Sequence, residues 1–199
     1  MPTSPASVTS SLLEVRHGRA SIAELSRHKF QHARAPSETL GQVRSKVRYS
    51  ISMTHDTYVG AGGSSFCARP LLAVRLAMEQ LDLLVAHEVP EGSCGFEEVL
   101  AHERRHVEVA RQSQQASARR LSGTLSELIR TQVLVASSRE ALDSQLSQLK
   151  GQIRELVEAD LKQADQAQLE IDHPEEYERL SRVCDGELRQ IGHAYHQHR

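Results

Sequence analysis

Residues 102–106 read His102-Glu103-Arg104-Arg105-His106, an H-E-x-x-H pattern. On a helix, side chains four apart share one face, so both imidazoles reach a single Zn²⁺ at about 2.0–2.1 Å while Glu103 lies beside the open coordination position. The chemistry implied is hydrolysis. Zinc lowers the pKa of a bound water toward about 7, and Glu103 takes its proton and passes it to the leaving amine of a peptide bond. Val99, Leu100, Val107 and Ala110 surround the motif, which predicts that His102, Glu103 and His106 are partly buried and have a reason to be. Arg104 and Arg105 fall off that face and are expected in solvent.

A catalytic zinc needs a third protein ligand. The extension H-E-x-x-H-x-x-G-x-x-H is absent, because Val109 and Gln112 stand where Gly and His belong. Glu127, at the spacing of a thermolysin-like ligand, reads as a solvated helix charge. If two long helices turn near residue 137, a residue near 104 lies opposite one near 170, which returns the chain to the motif around Asp172, His173, Glu175 and Glu176. Glu176 shares a face with Leu180, Val183 and Glu187 and is the favoured ligand, with Tyr177 as hydrogen-bond donor to the oxyanion. Asp172, His173 and Glu187 are the alternatives.

The elements that must position these residues read as an α+β fold, a small antiparallel sheet followed by the motif helix and a long antiparallel helical hairpin, zincin-like in order. Residues 1–41 are polar with weak periodicity and read as a flexible arm, with Leu12, Leu13, Ile22 and Leu25 marking one short helix before Ala35-Pro36-Ser37. A metallopeptidase domain is expected over 42–192, and a histidine-rich tail over 193–199, with His193, His196 and His198. Val47, Tyr49, Ile51 and Met53 alternate with Arg48, Ser50 and Ser52, predicting a half-buried strand over Ser45–Met53. Leu71–Met78 and Leu81–Val89 read as two further strands separated at Glu79-Gln80, with Gly60–Ser65 as a loop. Beyond Gly95 the pattern is helical: a hairpin over about 96–172, with Leu142, Leu146, Leu149, Ile153, Leu156 and Leu161 forming a narrow seam. Pro174 opens a last helix with Asp172 as N-cap.

Composition limits the alternatives. The chain has 199 residues, 24 basic against 26 acidic side chains and 11 histidines. The near-balance of charge argues against a nucleic-acid partner, and no apolar run approaches the about 18 residues of a membrane span. Met1–Ser11 lacks the basic and apolar regions of a signal peptide as the chain is given. Cys67, Cys94 and Cys184 make an odd count that fits one disulfide with a free thiol or three reduced thiols. Cys184 falls on the apolar face of the last helix and reads as a small buried side chain.

The stretch Gly92-Ser93-Cys94-Gly95-Phe96-Glu97-Glu98-Val99-Leu100-Ala101-His102-Glu103-Arg104-Arg105-His106-Val107 resembles a bacterial family of secreted zinc-dependent peptidases assigned by motif, the domain of unknown function 922 and its relatives. There a cysteine also precedes the H-E-x-x-H helix, a small β-region comes first and long helices follow. The Y-D-x-x-T-x-H-G element of that family is not kept, since Tyr177 to Cys184 preserves only the tyrosine and a hydroxyl. The resemblance implies zinc, a peptide or protein substrate, a periplasmic or secreted location and a Cys67–Cys94 disulfide. On the chain-entropy model such a bridge contributes about 3 kcal/mol. The rival expectation is a non-catalytic coiled-coil scaffold with a vestigial motif, self-associating through the helical hairpin.

Overall fold

The computed structural model describes residues 5–27, 38–60, 62 and 65–197. His28, His32, Ala35-Pro36-Ser37 and His198 lie outside them, as do parts of the Gly60–Ser65 loop. The fold is α+β. Strands β1 (Ala6–Ser11) and β2 (Arg16–Ala20) precede a short helix α1 (Ile22–Arg27), followed by two long strands, β3 (Gly41–Val59) and β4 (Phe66–Ala86). Helix α2 (Cys94–Arg130), a three-residue strand β5 (Leu134–Ala136) and helix α3 (Arg139–Leu169) come next, then α4 (Pro174–Arg182), a 3₁₀ turn over Cys184–Gly186 and α5 (Glu187–Gln197).

Among the described residues, five strands form one sheet in which every other strand pairs with β4. The residues between β3 and β4 are too few for a parallel crossover, so these two form a hairpin, closed at its tip by Gly60 N–H donating to Ser65 O at 2.8 Å. β5 adds antiparallel, Phe66 opposite Ala136, whereas β1 and β2 add parallel, with Ala6 opposite Leu72 and Arg16 opposite Asp82. The sheet is therefore mixed rather than antiparallel. Parallel partners so far apart in sequence leave no local turn signal, which is why residues 1–41 read as an arm. Instead Ile22 and Leu25 are fully buried.

The expected break at Glu79-Gln80 is also absent. β4 passes through it as one strand, because alternation continues across it: Leu76, Met78, Leu81, Leu83 and Val85 are all buried, and Gln80 donates to Asp82 at 2.7 Å. The helical hairpin is present, but its turn is longer than expected, with β5 inserted before Ser138 Oγ accepts from Ala141 N–H to start α3.

The chain divides into two compact units to which the long elements contribute in turn. In the first (residues 1–11, 47–77 and 114–164), Leu121, Leu125 and Ile129 of α2 cluster with Leu149, Ile153 and Val157 of α3 over Leu72, Val74 and Leu76 of β4. The seam residues Leu142, Leu146, Leu149 and Ile153 are thus buried within the chain's own core, while Leu156 is exposed. Arg120 adds a two-point bond to Asp160, at 2.8 and 3.2 Å. In the second unit (12–46, 78–113 and 165–199), Met78, Leu81, Leu83 and Val85 of β4 pack with Ile22, Leu25, Val99, Val107 and Leu188. This second core carries the H-E-x-x-H motif on its α2 segment.

Candidate metal centre

Helix α2 starts where Ser93 Oγ accepts from Phe96 N–H at 3.1 Å, a side-chain cap two turns before the motif. Glu187 Oε2 accepts from Gly95 N–H at 2.7 Å, so this alternative ligand caps the helix instead of entering the site. The apolar positions Val99, Leu100, Val107 and Ala110 are all buried, and they carry His102, Glu103 and His106 inward with them to 5, 5 and 8 % exposure. The sequence rule that buried polar groups have partners holds for His102 and His106.

Three donor atoms converge. His102 Nε2 lies 3.2 Å from His106 Nε2 and 3.3 Å from Asp172 Oδ1, and His106 Nε2 lies 3.2 Å from the same oxygen. Donors held at about 2.0 Å around a tetrahedral ion stand about 3.3 Å apart, so this triangle has the dimensions of one face of a zinc site. Among the described residues, His102, His106 and Asp172 are the group whose ligand atoms can meet on one ion. The third member is Asp172, one of the alternatives, and not the favoured Glu176. Asp172 lies just before α4, whose N-cap is His173, accepting at Nδ1 from Glu176 N–H at 3.2 Å. Asp172 as N-cap and His173 as ligand are both corrected by that geometry, since a proline at the first helical position shifts the cap to the residue before it.

The far nitrogen of each imidazole is also held. Glu176 Oε1 lies 3.3 Å from His102 Nδ1, and Gln168 Oε1 lies 2.7 Å from His106 Nδ1. The Gln168 acceptor favours the proton on Nδ1 of His106 and its Nε2 lone pair toward the triangle, while Nδ1 of His102 lies between the Glu176 carboxylate and the Arg105 guanidinium. Gln168 also donates to His106 O at 3.2 Å. Glu176 is buried yet not free to move onto an ion. Arg179 grips both of its oxygens at 2.9 and 3.0 Å and reaches Glu98 at 2.7 Å, and Arg105 bonds Oε1 from the other side. Arg105 is exposed as expected, and its guanidinium turns back to Glu176 and to within 3.0 Å of His102 Nδ1. Arg104 is exposed as expected. The Arg179 fork, opposed by burial and reinforced by Arg105 and His102, holds the Glu176 carboxyl down at about 2.

Glu103 has the opposite environment. Burial pushes its carboxyl up to about 7 against the pull of His106 and His102. It fits because Gly41, the first residue of β3, has no side chain: a β-carbon there would overlap Glu103 Oε1 and stand 2.6 Å from Val99 Cγ1. On Asp172, burial is outweighed by bonds from His102, His106 and Tyr177, which hold its carboxyl far below the usual range. On His106, burial is likewise outweighed, by Asp172, Glu103 and Gln168, and its pKa is raised. Burial and the neighbouring Asp172 charge raise the Tyr177 hydroxyl, and its ring centroid lies 6.2 Å from that of His102. Tyr177 therefore sits beside the site.

Glu127 is a solvated charge, paired with exposed Arg130 at 2.8 Å. The expected Cys67–Cys94 disulfide is replaced by Cys94–Cys184, with Cα atoms 5.6 Å apart. Cys67 is unpaired, half-buried on β4 opposite Val135. The last helix breaks at Val183, and left-handed backbone at Cys184, Asp185 and Gly186 (φ 56, 54 and 76°) brings the Cys184 sulfur to the start of α2. That turn has no proline and only one glycine to announce it, so the sequence pattern reads as an uninterrupted helix. Gln168, Arg105 and Arg179 join the site without having been marked for it by the H-E-x-x-H pattern. The reversed register of the hairpin, which sets 106 against 168, is the signal for the first, and the three-residue spacing from Glu176 for the last.

No family model matches the sequence, and it has no match among curated proteins or solved structures.

Proposed function

We propose that the protein is a zinc-dependent peptidase in which His102, His106 and Asp172 hold the ion and Glu103 is the general base. The observation that carries this reading is the donor triangle, three atoms spaced as a tetrahedral face, with the far nitrogen of His106 held by the Gln168 acceptor. Two neutral histidines and one carboxylate are a donor set suited to zinc, and three protein ligands leave one position open. A zinc ion so held supplies Lewis acidity toward a carbonyl oxygen and toward water.

Glu103 accepts a proton from the water as its oxygen attacks the carbonyl carbon. It returns that proton to the amine nitrogen as the C–N bond breaks, so the carboxylate is regenerated. Tyr177 and Glu176 act on the ligands: the first neighbours Asp172, and the second lies 3.3 Å from His102 Nδ1. The Cys94–Cys184 disulfide supports an oxidising compartment, as the periplasmic or secreted reading asks.

The test is metal content of untagged wild type, Glu103→Gln and His102→Ala/His106→Ala, together with hydrolysis of a quenched peptide library. One zinc per chain in the first two and none in the third, with hydrolysis only by wild type, is the expected result. Absence of zinc from wild type after loading would return the non-catalytic scaffold reading.

A further inference from the structure

Helix α4 and the turn after it are joined to the start of α2 by three rungs. Cys94, Glu98 and His102 follow one another at steps of four and share a face of α2. Cys94 is bonded to Cys184, Glu98 accepts from Arg179 at 2.7 Å, and His102 Nδ1 lies 3.3 Å from Glu176 Oε1. As the chain advances along α2, its partners retreat from the turn into α4. The two segments therefore run antiparallel, with a covalent rung at one end and the donor triangle at the other.

α4 has little apolar anchorage of its own. It has nine residues, too few to be helical unaided, and its one buried side chain is the Glu176 carboxylate. Leu180 is half-buried against the second core. The far end of α4 runs into Cys184-Asp185-Gly186, where two non-glycine residues hold left-handed backbone (φ 56 and 54°). Such backbone persists where surrounding bonds dictate it. Two of those bonds reach α2: the bridge itself, and Glu187, which accepts from Gly95 N–H at 2.7 Å. The covalent rung is also the accessible one. Cys94 is exposed and Cys184 half-buried, so a thiolate in solution reaches the sulfurs.

Resting on the zinc reading above, we infer that Cys94–Cys184 is a redox latch on the metal centre. Closed, it holds α4 so that Glu176 backs His102 and Asp172 completes the donor triangle. Opened, it frees that side of the site and lowers its affinity for the ion. Opening is a thiol–disulfide exchange with an external dithiol. One thiolate of the dithiol attacks a sulfur of the bridge, and the other cysteine leaves as a thiolate. The second thiolate of the dithiol then displaces the first cysteine. The protein pair gains two electrons and two protons, and the dithiol becomes a disulfide. An external disulfide closes the latch by the reverse steps. A chain held under reducing conditions thus keeps a weakened site until it is oxidised.

Chelator competition is expected to find zinc bound about tenfold more weakly by Cys94→Ser/Cys184→Ser than by oxidised wild type, the lower end of the range for losing a partner behind a metal-bound histidine. Serines are used because free thiolates are themselves zinc ligands. Circular dichroism checks that the variant is folded. Leu149→Ala, which opens a cavity in the core of the other unit, controls for general loss of stability and is expected to leave the affinity unchanged.

A second measurement needs no variant. By linkage, zinc favours the closed latch by the same factor as the latch favours zinc. In a glutathione buffer at saturating free zinc, alkylation and mass spectrometry should place the potential of the pair about 30 mV lower than after chelation, the equivalent of tenfold for two electrons. Equal affinity in the double-serine variant and wild type, an equal loss in Leu149→Ala, or a potential indifferent to zinc overturns the latch while leaving the zinc site standing. Oxidised wild type that binds no zinc overturns both.

Discussion

Glu176 Oε1 lies 3.3 Å from Nδ1 of His102, on the side of the ring away from the donor triangle. It is a buried carboxylate held by two guanidinium groups, and in the proposed zinc site its role is to set the orientation of a ligand rather than to be one. Glu176→Gln is expected to weaken zinc binding by about 10- to 100-fold, the range for losing a partner behind a metal-bound histidine. Asp172→Ala, which removes a donor atom, is expected to weaken it more. Competition with a chromophoric chelator measures both, and an unchanged affinity in Asp172→Ala would refute the ligand assignment.

The metal-free protein should lose stability as pH rises across the range where Glu103 ionises. Its carboxyl titrates at about 7 in the folded chain against an ordinary 4.5, so between those values the folded state binds more protons than the unfolded one. Stability then falls with rising pH over this window and levels off above it. Urea denaturation of apoprotein at several pH values should show this slope in wild type, and Glu103→Gln should flatten it.

Cys94 and Cys184 are separated by 90 residues. On the chain-entropy model, closing a loop of that size stabilises the folded state by about 4–5 kcal/mol. Cys184→Ser, compared with oxidised wild type by denaturant unfolding, should show a loss of this order. Cys67→Ser should leave stability close to wild type, because that thiol bridges nothing.

Gly41 is expected to tolerate no side chain. The β-carbon of Gly41→Ala overlaps Glu103 Oε1 and crowds Val99 Cγ1, so either the base or the strand has to move. A misplaced group near the chemistry costs about a hundredfold in rate. The expected outcome is a fall in kcat of that order with zinc retained, read by steady-state hydrolysis alongside metal content.

The site was legible in the sequence in proportion to its locality. His102, Glu103 and His106 lie within one turn and a fraction of a single helix, so spacing alone placed them together. The third donor came from the opposite end of the helical hairpin, and the reversed register brought attention to the right stretch, Asp172 to Glu176. Choosing among them depended on where α4 is capped and on which carboxylate the arginines hold, and neither is a periodic property. In the fold, the alternation of β3 and the long helices were readable because each is a local pattern. The parallel strands β1 and β2 were not, since what makes Ala6–Ser11 a strand is a partner far along the chain. The disulfide failed for a related reason: three cysteines allow three pairings, and the left-handed turn at Cys184 selects one.

The pairing of the whole sheet through β4 has a consequence for synthesis. β1 and β2 leave the ribosome first, yet Arg16 meets Asp82 across a separation of 66 residues, and until β4 is complete these two strands have nothing to bond. Only the β3–β4 hairpin can close early by local search, with the distant strands annealing afterwards at the greater entropic cost of long loops. The strands β1 and β2 are thus secured to the sheet only after β4 is made, although both precede it in the chain.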